Sequence, residues 1–212
     1  VSAKGGNNAE NHNHNDIGSY AVALGKCTMV GDQGGPFSYP GDYFSAEAPE
    51  KYKIKGSFGH PVPVVDGKTQ SSGAKASAIV LKKEFTDVKD LLCIDYTSAY
   101  STPSLDKLVR TFVYDRQGKG SFTVGDEFTA NAPIRFETAI TTQANWKIID
   151  DTHLLLTTGT EQMTVTIEAS GKVAFTSETI EVNSPAYTRI GISLKEQSKD
   201  GYIRLTMRTK QL

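Results

Sequence analysis

Met163-Thr164-Val165-Thr166-Ile167-Glu168 alternates apolar and polar side chains without a break, and so does Tyr202-Ile203-Arg204-Leu205-Thr206-Met207-Arg208. A period of two puts every apolar residue on one face, the pattern of an antiparallel strand with one side on a core and the other in water. Segments of strand character fill the chain from residue 77 onward: 77–85, 88–96, 108–115, 122–124, 134–142, 146–149, 153–157, 163–168, 173–176, 178–182, 188–194 and 202–208. Short turns such as Ser170-Gly171 and Asp200-Gly201 join them, and no window carries a sustained helical period between caps. The predicted fold is all-β: a large antiparallel two-sheet β-sandwich of the supersandwich type, with residues 1–212 forming one domain.

Toward the N-terminus the pattern loosens. Residues 17–30 read as a strand and a bend, and residues 31–59, rich in Gly, Pro, Tyr and Ser, read as a long irregular connection with one helical turn near 42–45. Long loops on a β scaffold commonly carry function. Residues 62–65, Asp66-Gly67 and residues 68–70 read as a hairpin, since Asp-Gly suits the positive φ values of a type I′ turn.

Apolar residues make up 38% of the chain and there are 19 glycines, an ordinary globular balance that argues against disorder. The net charge of -1 gives the surface no general attraction for nucleic acid or anionic lipid, so neither nucleic acid nor a membrane is an expected partner. No apolar run is long enough to span a bilayer. Cys27 and Cys93 lie in apolar segments and read as buried free thiols. Val1 begins directly in strand-like sequence, so the chain is expected to be part of a longer protein.

The chemistry-bearing stretch is Glu10-Asn11-His12-Asn13-His14-Asn15-Asp16-Ile17-Gly18, which holds two of the four histidines. A turn uses one or two Asn or Asp residues, not a run of them. One residue separates His12 from His14, so an extended segment would point both to one face, as two metal ligands or as one ligand and one base. Asp32, in a glycine-rich loop, and His60, ahead of the hairpin, are further candidates. Two imidazoles and a carboxylate suit zinc with one position left open, and the neighbouring Asn and Asp residues could fix the imidazole tautomers. Read one at a time, His60 and Asp32 suit ordinary turns, Asp16 suits a cap, and His153 in a plain strand is structural. Gly6, His12, His14 and Gly25 also come near a cupin metal motif, but Gly18 stands where that motif has a glutamate ligand.

Lys4-Gly5-Gly6-Asn7, His12-Asn13-His14-Asn15-Asp16-Ile17-Gly18-Ser19, Asp32-Gln33-Gly34, His60, Val65-Asp66-Gly67-Lys68-Thr69-Gln70, Ala99-Tyr100 and Arg110-Thr111-Phe112 together resemble the heparinase II/III-like polysaccharide lyases. The match covers residues 1 to about 115, with Pro61 departing from the Asn that often follows the histidine. The resemblance implies that this β-sandwich follows an N-terminal α/α toroid in the whole enzyme. A uronic-acid polysaccharide, heparan-type or alginate-type, would lie between the two domains and be cleaved by β-elimination.

The resemblance further implies His12 as the cleft histidine, base or charge neutraliser, and His14, Asp32 and His60 as ligands of a structural zinc. Asn13, Asn15, Asp16 and Gln70 would support them. The acid/base tyrosine would come from the toroid, so the chain alone would be inactive, and nothing in the setting of Tyr20, Tyr39 or Tyr100 gives them that role. Lys4 and Lys26 are the candidates for sulfate. Action on an external polymer implies a periplasmic or secreted enzyme. The competing reading is a non-catalytic carbohydrate-binding or supporting sandwich. Such a binder needs a platform of exposed Trp or Tyr, and the single Trp146 lies in a strand-like segment.

Overall fold

The computed structural model describes residues 1–31, 35–181 and 185–210. Asp32, with Gln33 and Gly34, and Val182, at the end of an expected strand, lie outside the described residues. The strands are β1 (Ser2–Ala3), β2 (Asn7–Asn8), β3 (Tyr20–Leu24), β4 (Cys27–Val30), β5 (Val64–Val65), β6 (Gly73–Ser77), β7 (Ile79–Phe85), β8 (Lys89–Asp95) and β9 (Leu105–Asp115). They continue as β10 (Ser121–Ile134), β11 (Phe136–Thr142), β12 (Asn145–Asp150), β13 (His153–Thr158), β14 (Glu161–Ala169), β15 (Val173–Ile180), β16 (Tyr187–Leu194) and β17 (Ser198–Thr209).

One layer is an eight-stranded sheet in the order β12-β13-β14-β17-β10-β9-β8-β7. The facing layer is assembled from two pieces, a four-stranded sheet β15-β16-β11-β5 and a three-stranded sheet β1-β3-β4. They meet along one edge of β11: Gly31 N–H donates to Thr141 O at 3.0 Å, and the Thr141 and Thr142 hydroxyls donate to Gly31 O and Met29 O. The pairings named are antiparallel throughout, as the all-β sandwich reading requires. Ile140, Ile190 and Ile192 of one layer and Val124, Phe128, Leu156, Val165 and Leu205 of the other belong to the same core.

Several boundaries differ from expectation for identifiable reasons. Strand β10 runs for 14 residues, not three, because its inward positions, Phe122, Val124, Asp126, Phe128 and Ala130, keep period two while Asp126 interrupts the apolar pattern. Residues 173–180 form one strand instead of two. The helical turn expected at 42–45 is a hydrogen-bonded turn, with Ser45 N–H on Asp42 O at 3.0 Å. The short helix α1 (Ala48–Lys51) lies beyond it, with Pro49 in its first turn. The Asp66-Gly67 turn forms as read, with φ of 50° and 77° and Val65 and Lys68 exchanging backbone bonds of 3.0 and 2.9 Å. Its second arm ends at once, and Gln70 turns into the interior.

Cys27 and Cys93 are free thiols, half-buried instead of buried. His153 bonds locally, with Nδ1 2.9 Å from Asp150 Oδ1, consistent with a structural role. No helix among the described residues is long and apolar enough to cross a membrane.

Candidate functional site

Residues 4–19 form a loop closed at its base, where Lys4 N–H donates to Ser19 O at 2.8 Å and Gly18 N–H to Lys4 O at 3.0 Å. Gly18 sits at φ +86°, a conformation that a side chain strains, which accounts for a glycine where the cupin pattern has a ligand. Inside the loop, Ile17 is fully buried and Gln70 reads both of its backbone groups. Gln70 Oε1 accepts from Ile17 N–H at 3.0 Å and from Asn8 Nδ2 at 3.1 Å, while Nε2 donates to Ile17 O at 2.7 Å and to the Tyr100 hydroxyl at 3.4 Å.

Every hydrogen-bonding position of that amide is engaged, so Gln70→Leu leaves several buried groups without partners. The expected loss is about 2–4 kcal/mol of unfolding free energy in urea; a loss below about 1 kcal/mol would show that the hub is dispensable.

The asparagines tie the loop to its surroundings. Asn15 is buried and its Nδ2 donates to Ser72 Oγ at 2.9 Å and Gln70 O at 3.3 Å, while its N–H donates to Lys55 O at 3.0 Å. Asn13 Nδ2 donates to His14 O, and Asn13 Oδ1 accepts from Lys4 Nζ at 3.1 Å. Lys4 is also ion-paired with buried Asp16 and so is held by the loop itself. Lys26 is exposed at the β3–β4 turn.

The backbone that carries His12 and His14 is not extended. The segment is a turn, not a strand: Asn13 N–H donates to Glu10 O at 3.1 Å and His12 takes φ 59°, a sparsely populated region for a residue with a side chain. His12 is therefore exposed, edge-on to Phe44 with ring centroids 4.8 Å apart. His14 is half-buried, with Nε2 3.2 Å from the Tyr43 hydroxyl and its ring centroid 5.2 Å from that of His60. His60 is buried, and its Nε2 lies 3.0 Å from Ile54 O; a carbonyl only accepts, so Nε2 carries a proton.

Two imidazoles on one tetrahedral zinc place their ring centroids about 5 Å apart, so the spacing of His14 and His60 fits two corners of such a site. Among the described residues no cluster of three or more His, Cys, Asp or Glu completes it, and Asp32 lies outside them. His12, His14 and Tyr43 line an open cavity of about 400 Å³, with Lys4, Tyr39 and Phe44.

Sequence reasoning named Arg110 within the resemblance but gave no role to this residue, which joins the two histidine loops. Arg110 of β9 is fully buried between the layers, bonded through Nε and Nη2 to Asp126 of β10 at 2.7 and 2.6 Å. Its Nη1 donates to Gly18 O at 2.6 Å and Pro61 O at 2.8 Å, and Nη2 also reaches Thr138 Oγ1 at 3.1 Å. Burial opposes the charge, but Asp126 and Tyr96 more than offset it, and Arg110 is held well above the ordinary arginine range. The signal was present in the period: Leu108, Arg110 and Phe112 share the inward face of one strand. Burial pushes the phenols of Tyr20 and Tyr100 up, in keeping with packing roles.

No protein-family model matches the chain, and no curated protein does. Among solved structures it is similar to heparinase III, with a TM-score of 0.73 at 17% identity over 95% of this chain and 31% of that one. A second heparinase III, with methylated lysines, matches with a TM-score of 0.75 at 14% identity over 99% of this chain and 32% of that one. The heparan sulfate lyase HepC from Pedobacter heparinus matches with a TM-score of 0.74 at 15% identity over 94% and 31%. The chain thus spans about a third of the length of these structures and shares with them its β-sandwich fold.

Proposed function

We propose that this chain is the β-sandwich of a polysaccharide lyase that cleaves a uronic-acid-containing polymer by β-elimination. The observation that carries the reading is the setting of the histidine loop, with His12 and His14 lining one open cavity and His14 ring to ring with His60. The named neighbours favour a heparan-type substrate over alginate. Their length leaves room for the α/α toroid that would complete the cleft and bring the acid/base tyrosine. A protein acting on such a polymer would work in the periplasm or outside the cell.

In the elimination a base removes the C5 proton of the uronate, the C4–O4 bond breaks with its electron pair going to oxygen, and an acid protonates that oxygen. The product carries a C4–C5 double bond. His12 would act as the base or neutralise the uronate carboxylate, and His14 and His60, with Asp32, would hold a zinc ion that braces the two loops. Bound there, zinc supplies structural cross-linking. His60→Ala is expected to remove zinc from the purified chain by elemental analysis; unchanged stoichiometry would remove His60 from the ligand set.

The reading as a whole is tested with the full-length protein on heparan sulfate and, separately, on alginate. Ultraviolet absorbance of unsaturated uronate from heparan sulfate is the expected result. Absence of that product from every uronate polymer would overturn the reading.

A further inference from the structure

Beside His12 the loop of residues 35–45 exposes aromatic rings that no core requirement explains. Phe37 is 80% exposed, Tyr39 57% and Phe44 50%. Tyr39 and Phe44 lie 5.0 Å apart between centroids, and Phe44 continues to His12 at 4.8 Å. Single exposed apolar residues are ordinary, but adjoining ones that border a cavity mark a binding surface.

The rings are propped from beneath. Tyr43 is buried, 5.4 Å from both Phe44 and Tyr52, and 5.1 Å from Tyr39. Buried Lys55 places its ammonium 5.1 Å from the centroid of Tyr43 and 5.0 Å from that of Phe44, and donates to Tyr43 O. Tyr52 donates to Asp42 Oδ1 at 2.6 Å, and Lys51 pairs with the same carboxylate, which fixes the turn ahead of Tyr43. A platform held this way loses little freedom when a ligand settles on it.

We propose that Tyr39 and Phe44 form a stacking platform for a pyranose ring, adjoining His12 and distinct from the histidines themselves. The chemistry of the cavity favours a sugar over an apolar ligand. Tyr39 and Phe44, their planes tilted by 49°, line the cavity together with Lys4, Asn11 and Asn13, a mix of aromatic and polar groups that suits a pyranose with its apolar C–H face and rim of hydroxyls. The proposal rests on the saccharide reading above but not on the elimination chemistry. It also supplies the aromatic platform that Trp146 cannot, since Trp146 is half-buried against the core.

The test titrates the chain with an unsulfated glucuronate–N-acetylglucosamine tetrasaccharide, followed by saturation-transfer NMR, for wild type, Tyr39→Ala, Phe44→Ala and Tyr39→Phe. Each alanine variant is expected to weaken binding about tenfold or more while Tyr39→Phe binds as wild type, and the wild-type Kd is expected to change little when salt is raised, because stacking is not screened. Wild-type affinity in both alanine variants, or no binding by the wild-type chain, would overturn the platform. Failure of the elimination reading is seen separately, as absence of unsaturated product from the full-length protein despite binding here.

Discussion

Replacing His12 by alanine in the full-length protein is expected to lower turnover of uronate polymer by about 10²–10⁴-fold, the range a positioned proton-transfer group contributes. The geometry makes the prediction specific. His12 is exposed at a left-handed turn position beside Phe44, whereas His14 and His60 lie ring to ring behind it. Zinc content in His12→Ala is therefore expected to match wild type. Parallel loss of metal and activity would make His12 a ligand, and near-normal turnover would remove it from the chemistry.

Arg110→Met is expected to destabilise the sandwich by about 3–5 kcal/mol, because it leaves Asp126 charged and unpaired between the layers. That is a large part of the stability of a typical domain. Asp126→Leu is expected to be similarly harmful for the mirror reason. The double variant removes both charges and should recover much of the loss, since well-packed apolar replacements of buried ion pairs are often close to neutral.

Recovery should stop short of wild type. Gly18 O and Pro61 O would lose the Nη1 donor, and Tyr96, which donates to Asp126 Oδ1 at 2.7 Å, would lose its acceptor. Each lost bond is worth about 1 kcal/mol. Because Gly18 ends the His12–His14 loop and Pro61 follows His60, the folded double variant should also bind zinc more weakly than wild type. Strictly additive single losses in urea unfolding would show that the pair is not coupled.

The strand pattern of the C-terminal half was legible because one-sided burial writes itself as period two, as in Met163–Glu168 of β14 and Tyr202–Arg208 of β17. What escaped was anything decided by long-range placement. Arg110 and Asp126 occupy inward positions of alternating strands, but a charge at such a position looks like an interruption until its partner is seen 16 residues away. The paired histidines were visible as chemistry, yet the turn at His12, which leaves that ring exposed and the ring of His14 half-buried, is not what the extended reading of the segment anticipated. The aromatic platform was hidden in composition: Tyr39 and Phe44 read as ordinary loop residues until the buried Tyr43 and Lys55 beneath them are placed.

The most direct measurement is a crystal of the zinc-loaded chain with anomalous scattering collected at the zinc edge. The account predicts one peak per chain, about 2.0–2.1 Å from a nitrogen of His14 and of His60 and away from His12. A peak on His12, or none between His14 and His60 after saturation with zinc, would contradict it.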